Sequence, residues 1–277
     1  MLPAEKSVRL RDGTRLAYIE SGMPTRTTVV MLHGATDSWR SFAPVLPHLP
    51  PLLHAIAPSQ RGHGESDRPA AGYRTEEMAA DLADFLDARS IRRAVIVGHS
   101  MGGSVALRFA IDHPDRTLGL VLAGARARWA DHPEVAALSE EVFATVDPVD
   151  RRFVRAFQAS TVAQPVPPAF IDAMVAESLK LPARTWHAVF REAVLGADET
   201  ARLGRVRAPT LLLCGDRDTL AHDAQAALAR GIPGALRLTY RGAGHALHWE
   251  EPARFAADLG AFATALSEER LADTLSA

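Results

Sequence analysis

One stretch constrains this chain more than any other: a β-branched apolar run that turns through a single serine into a helical pattern. It reads Val95-Ile96-Val97-Gly98-His99-Ser100-Met101-Gly102-Gly103-Ser104, with Gly98 and Gly102 flanking Ser100 in the spacing G-x-S-x-G. A strand that turns sharply into a helix brings together the residues two before and two after the apex. Only near-absent side chains fit there, and the apex is pushed toward strained dihedrals. The serine hydroxyl then stands clear of the backbone at a helix N-terminus, where partial positive charge can stabilise a developing oxyanion.

Such a turn needs a buried sheet, and the flanking sequence reads as one. Val8–Leu10 and Arg15–Glu20 around Asp12-Gly13 predict a β-hairpin. Thr28–Leu32, Leu52–Ala57, Ala94–Val97, Leu118–Ala123 and Thr210–Cys214 are short, nearly continuous apolar runs, as expected of strands covered on both faces. Leu236–Tyr240 adds a last strand. Helical spacing falls on Ser38–Leu49, on a segment opened by Thr75 with a stripe of Met78, Leu82, Phe85 and Leu86, on Ser104–Ile111, on His222–Ala229, and from Pro252 onward. The alternation breaks once. From about Arg126 to Thr200 no strand pattern occurs, while helical patterns carry Phe143, Phe153, Phe157, Phe170, Trp186 and Phe190. The expected fold is therefore α/β: a mostly parallel twisted sheet flanked by helices, with an inserted helical cap. Residues 1–125 and 201–277 are expected to form the core and 126–200 the cap.

Composition narrows the function classes. A chain of 277 residues with 47% apolar content can bury a substantial core, and a formal charge of −2 argues against nucleic acid as a partner. No apolar run reaches membrane-spanning length. Met1-Leu2-Pro3-Ala4-Glu5-Lys6 lacks the pattern of a secretory leader. The single cysteine, Cys214, excludes an internal disulfide and fits a reducing cytoplasm. A cytoplasmic protein is expected, with a homodimer compatible with the sequence.

A serine hydroxyl needs a base to take its proton and a third group to orient that base. Candidates stand at the ends of the later strands. Gly215-Asp216-Arg217-Asp218 follows Thr210–Cys214, and Arg241-Gly242-Ala243-Gly244-His245 follows Leu236–Tyr240. The loop His33-Gly34-Ala35 would bring a backbone N–H beside that of Met101, giving two oxyanion donors. Together with Arg61-Gly62-His63-Gly64-Glu65-Ser66, these stretches resemble, in this order, a Ser-His-Asp carboxylesterase-like member of the α/β-hydrolase superfamily, over nearly the whole chain. The resemblance implies Ser100 as nucleophile, His245 as general base and then acid, and Asp218 as the orienting carboxylate, with Ala35 and Met101 at the oxyanion. Asp218 is preferred to Asp216 because the superfamily usually places its acid last in G-x-x-D. Relatives often carry an aspartate before Arg61, where this chain has Ser59-Gln60. No cofactor and no metal are implied, and the expected partner is a small-molecule ester or lactone substrate.

The remaining polar candidates have simpler readings. His33, His63 and His99 are expected to brace loops, His248 to pack near Trp249, and Asp216 to make a loop hydrogen bond. Trp129 and Trp186 are the candidates for lining the substrate pocket. Among chemistries, the dehalogenases and epoxide hydrolases of this superfamily use aspartate at the apex, and Tyr18, Tyr73 and Tyr240 all lie outside the cap. Carbon–carbon hydrolases of meta-cleavage products usually have Asn before the serine and Trp after the histidine; here His99 and Ala246 stand there. The expected activity is hydrolysis of a small or medium apolar carboxylic ester through an acyl-enzyme. A lactonase or a carbon–carbon hydrolase is the alternative, and a small-molecule receptor with single-turnover hydrolysis is the reading from another class.

Overall fold

The computed structural model describes residues 3–24 and 26–276, with side chains through Ser267. Met1 and Leu2, part of the stretch read as lacking a leader, lie outside them. The predicted hairpin forms β1 (Lys6–Arg9) and β2 (Arg15–Ser21), with Val8 opposite Leu16. The apolar runs become β3 (Thr27–Leu32), β4 (Leu53–Pro58), β5 (Ala94–His99), β6 (Thr117–Ala123) and β7 (Thr210–Gly215), followed by β8 (Leu236–Tyr240).

These strands make one sheet in the order β1-β2-β4-β3-β5-β6-β7-β8. Only β2 runs against its neighbours; every pairing from β4 to β8 is parallel. The largely apolar sequence of β4–β7 follows from burial on both faces, since all their residues are buried. After β3 the chain adds β4 on one side and β5 on the other. That reversal leaves a crevice at the carboxyl ends of β3 and β5, where ligands of such sheets bind.

Helices α1 (Thr75–Ala88), α2 (Met101–Asp112), α7 (Gln225–Gly231), the short α8 (Leu247–Glu250) and α9 (Pro252–Ser276) accompany the sheet, while α3 (Pro133–Phe143), α4 (Arg151–Ser160), α5 (Pro168–Ser178) and α6 (Ala183–Ala188) lie between β6 and β7. The chain leaves β6 and returns to β7 side by side: Arg128 and Asp198 form an antiparallel bridge, and the Glu199 N–H donates to the Ala127 carbonyl at 2.9 Å.

The structure corrects the reading of Ser38–Leu49 as a helix. It forms only two 3₁₀ turns, Trp39–Phe42 and Leu46–His48. Pro44 and Pro47 lack the N–H an α-helix would need and clash with the preceding turn, so apolar spacing alone was misleading.

It also corrects Trp186. The indole is fully buried, stacked on Phe190 at 6.3 Å and met by Phe157 at 5.5 Å and Phe153 at 5.7 Å. Its Nε1 donates to the Ser178 carbonyl at 3.3 Å. Trp186 is the centre on which α4 and α6 pack, with Phe153, Phe157 and Phe190 around it. Trp186→Ala is expected to lower unfolding stability by about 3–5 kcal/mol. Urea titration checks this; a loss under about 1 kcal/mol would show that the helices do not depend on the indole.

Candidate active site

Ser100 joins β5 to α2 at φ 53° and ψ −120°, a left-handed conformation that a non-glycine residue adopts at a cost of about 1–3 kcal/mol. The sequence dictates this turn sterically. A β-carbon on Gly98 would lie 2.2 Å from the Gly102 carbonyl oxygen, and one on Gly102 would lie 2.3 Å from that of Leu32. The Ser100 N–H donates to the Ala123 carbonyl at 3.0 Å, and the Ser100 carbonyl accepts from the Gly103 N–H at 2.8 Å. Strand, apex and helix are thereby pinned together.

The loops after β7 and β8 bring Asp218 and His245 into contact. His245 Nδ1 lies 3.1 Å from Oδ1 and 3.0 Å from Oδ2 of Asp218. A carboxylate only accepts, so Nδ1 carries the proton and Nε2 keeps its lone pair. Asp218 Oδ1 also accepts from the backbone N–H groups of Leu220 at 2.9 Å and Ala221 at 3.0 Å. Burial pushes the Asp218 carboxyl up, but the adjacent imidazole and these donors outweigh it and hold the group at about 2. Asp216 is exposed, and its Oδ1 accepts from the Gly242 N–H at 2.6 Å, the expected loop bond.

Ser100, His245, Ala35, Met101 and Trp129 line one cavity with about 620 Å³ of non-atom space, its open mouth included. The helices between β6 and β7 complete it with Val135, Leu138, Phe157, Phe190 and Val194. Phe190 and Val194 belong to a π-helical turn continuing α6, which sets both on the same wall. Trp129 is fixed by its Nε1 donating to Ser104 Oγ at 2.9 Å, and its ring meets His245 edge-on at 6.2 Å. Trp186 is not among the lining residues.

Four other histidines cluster around the site as neutral rings. His33 Nε2 accepts from the Gln60 N–H at 3.0 Å, and His63 Nδ1 lies 2.8 Å from the Arg61 carbonyl. His99 Nε2 donates to the His245 carbonyl at 3.0 Å, tying the apex strand to the histidine loop. His248 Nε2 lies 3.0 Å from Ser41 Oγ, and its ring packs on Trp249 at 5.6 Å. Burial in each case disfavours the charged form, holding His63 at about 4, His99 at about 3, and His33 and His248 well below the usual imidazole range.

Four polar residues of the cavity wall escaped the sequence reading, Asp37, Gln158, Ser160 and Thr161, and the first two are bonded to each other at 3.0 Å. Asp37 sits just past the Ala35 loop and reads as a turn residue. Burial pushes its carboxyl up to about 6, against the donors Gln158 and Ser41. A usable signal existed for Gln158: it stands four residues after Val154 on α4, at a buried register position occupied by a polar group.

Comparison with known proteins agrees with this architecture. A family model described as alpha/beta hydrolase fold matches residues 27–252. A Bacillus subtilis (strain 168) protein provisionally named 2-succinyl-6-hydroxy-2,4-cyclohexadiene-1-carboxylate synthase is 26% identical over 94% of this chain and 98% of its own. A thermophilic esterase from Thermogutta terrifontis, solved with malate bound, is 26% identical with a TM-score of 0.83, covering 94% of this chain and 99% of that one. A soluble epoxide hydrolase of Corynebacterium sp. (strain C12) is 35% identical over a shorter stretch, 38% of this chain and 36% of its own.

The neutral imidazoles predict how stability depends on pH. A histidine whose folded pKa lies below its unfolded value contributes stability that is complete above the unfolded value and is lost as pH falls through it. With folded values of about 4 for His63, about 3 for His99 and lower-than-usual values for His33 and His248, the loss begins near pH 6.5 and continues to about pH 4. Asp37, with a folded value of about 6 against an unfolded 3.8, works in the opposite sense, as do Asp81 and Glu199, whose carboxyls burial also pushes up, but these are three groups against four. Each tenfold difference in proton affinity between the unfolded and folded ring is worth about 1.4 kcal/mol. The unfolding free energy from urea titration should therefore fall by several kcal/mol across that window. A flat profile would mean that these rings titrate in the folded protein.

Proposed function

The chain belongs to the alpha/beta hydrolase fold family, and from that premise we propose that it is a serine hydrolase of carboxylic esters acting through an acyl-enzyme. The observation that carries this reading is His245, backed by the buried Asp218 carboxylate, lining one apolar-walled cavity with Ser100 at its strained apex. In this reading residues 126–200 act as a cap over a core of 1–125 and 201–277. The lone buried Cys214 fits work in the reducing cytoplasm.

The chemistry follows from the tautomer. With Nδ1–H committed to Asp218, His245 Nε2 is the nitrogen that takes the Ser100 proton as Oγ attacks the ester carbonyl. The developing oxyanion is met by the backbone N–H groups of Ala35 and Met101, the latter at the positive end of α2. Collapse breaks the carbon–oxygen bond, and His245 returns its proton to the leaving alcohol. Water, deprotonated by the same nitrogen, then attacks the acyl group and restores Ser100. Asp218 stays ionised throughout, in keeping with its depressed carboxyl.

The serine apex separates this chain from epoxide hydrolases and dehalogenases that use aspartate there. The likeness to the Thermogutta esterase along nearly the full length of both chains favours an ester substrate. A lactone is an internal ester and is cleaved by the same steps, so lactonase activity falls within the proposal.

Ser100→Ala is expected to reduce hydrolysis of a short-chain p-nitrophenyl ester by at least about 10³-fold. Asp218→Asn should cost about 10²–10⁴-fold and Asp216→Asn no more than a few-fold. Steady-state kcat/KM on the purified variants decides. Full activity in the serine variant would sink the mechanism, and a larger loss at Asp216 would reassign the acid. A burst of one product equivalent without turnover would favour the receptor reading.

A further inference from the structure

The wall of the cavity divides sharply into proton donors already in use and acceptors that are not. The Trp129 indole donates to Ser104, and that of Trp249 donates to Ser41 at 3.0 Å. The Ser160 hydroxyl donates to the Phe157 carbonyl at 2.8 Å, and that of Thr161 to the Gln158 carbonyl at 2.8 Å. Both amide protons of Gln158 are spent, one on Asp37 Oδ1 at 3.0 Å and one on Ser178 Oγ at 2.8 Å. The His99 Nε2–H goes to a carbonyl. Apart from Ser100 and His245, every side-chain proton on the lining residues is committed.

The acceptors have capacity to spare. Asp37 is 3% exposed and its carboxylate receives one bond at each oxygen, from Gln158 and from Ser41 at 3.1 Å. A carboxylate can accept about four. Gln158 is 1% exposed, and its Oε1 has no hydrogen-bond partner among the described residues; His99 Nδ1 has none either. No cation lies within ion-pair distance of Asp37 among the described residues. Gln158 Oε1 and His99 Nδ1 are enclosed, whereas Asp37 lines the cavity itself, and a carboxylate with spare accepting capacity on a cavity wall suits a donor carried by a ligand.

We propose that Asp37, held by Gln158, forms a polar recognition subsite in the otherwise apolar cavity, and that the preferred ester or lactone carries an N–H or O–H group near its carbonyl. The donor can be an amide, a hydroxyl or an ammonium; a substrate with a carboxylate in that place is rejected by charge. This rests on the ester-hydrolase reading for the identity of the reacting group, but the subsite itself is a matter of binding. Above about pH 6 the Asp37 carboxyl is ionised, which strengthens the bond it accepts. The subsite also joins two parts of the chain, because Asp37 follows β3 whereas Gln158 comes from α4.

The test uses Ser100→Ala protein at pH 8, so that binding is read without turnover. Three matched pairs are titrated by calorimetry: N-acetylglycine ethyl ester against N-acetylsarcosine ethyl ester, ethyl lactate against its O-methyl ether, and hydroxyethyl butyrate against methoxyethyl butyrate. In at least one pair the donor-bearing member should bind about tenfold tighter, the fold-change of a hydrogen bond to a buried charged group. Adding Asp37→Asn should bring that ratio down to within about twofold. Gln158→Met, which takes one donor from the Asp37 carboxylate and leaves Oδ1 open to the ligand, should widen it and serves if the Asp37 variant does not fold. Equal binding in all three pairs, binding of neither member, or a ratio unchanged by both substitutions overturns the subsite. Turnover of the same esters by the unmodified chain tests the hydrolase reading separately. Selective binding without turnover would leave the subsite standing and remove the reaction.

Discussion

The arrangement depends on a backbone contact that no side chain is small enough to interrupt. The Gly102 carbonyl oxygen occupies the place of a β-carbon at Gly98, and the Leu32 carbonyl occupies that of Gly102. Strands β3 and β5 and helix α2 can therefore approach one another only through glycine, and this approach forces Ser100 to its positive φ. The strain is local and modest beside what it secures. It aims a hydroxyl out of the carboxyl edge of the sheet and sets the first N–H groups of α2 next to the loop after β3. Bonds from Ser100 to Ala123 and from His99 to the His245 carbonyl then fasten the neighbouring loops to the same apex.

Electrostatics separates one histidine from the others nearby. His33, His63, His99 and His248 are wholly enclosed and held neutral, with partners that use them as hydrogen-bonding struts. Among these five rings only His245 has a carboxylate against Nδ1. A buried carboxyl such as Asp218 would ordinarily be driven toward its neutral form. Two backbone N–H groups and the imidazole reverse that tendency and hold the carboxyl at about 2, so it faces His245 charged at neutral and mildly acidic pH. The base is thus distinguished by its partner and not by its ring.

The sheet and the order of its loops were legible because both are local properties of the sequence. A strand covered on both faces must be apolar without interruption, as in Ala94–Val97 and Leu118–Ala123, and a sharp strand-to-helix turn must be glycine-rich. Helices were less legible where apolar spacing and proline disagreed: Ser38–Leu49 has the stripe but not the N–H groups, and the chain settles for two 3₁₀ turns. Trp186 was misread because an aromatic residue in a helical segment can fill that segment's own core or face a ligand, and periodicity does not distinguish the two. Asp37 lay beyond sequence reasoning for a different reason. Its surroundings are assembled from Ser41 nearby and Gln158 more than a hundred positions away, and neither residue advertises the pairing.

That last contact bears on how the two parts of the chain divide their work. Everything the proposed chemistry requires comes from loops of the sheet: Ser100, Asp218, His245 and the N–H groups of Ala35 and Met101. The helices between β6 and β7 contribute none of it, yet they form about half of the apolar wall and, through Gln158, hold a carboxylate that belongs to the sheet's own loop. A buried amide spending both protons on Asp37 and Ser178 fixes α4 against that loop in one orientation. Displacing α4 would leave the Asp37 carboxylate with a single donor in an enclosed site, an arrangement more costly than the original. The position of the helices over Ser100 is therefore set by hydrogen bonding at Asp37 as well as by aromatic packing around Trp186.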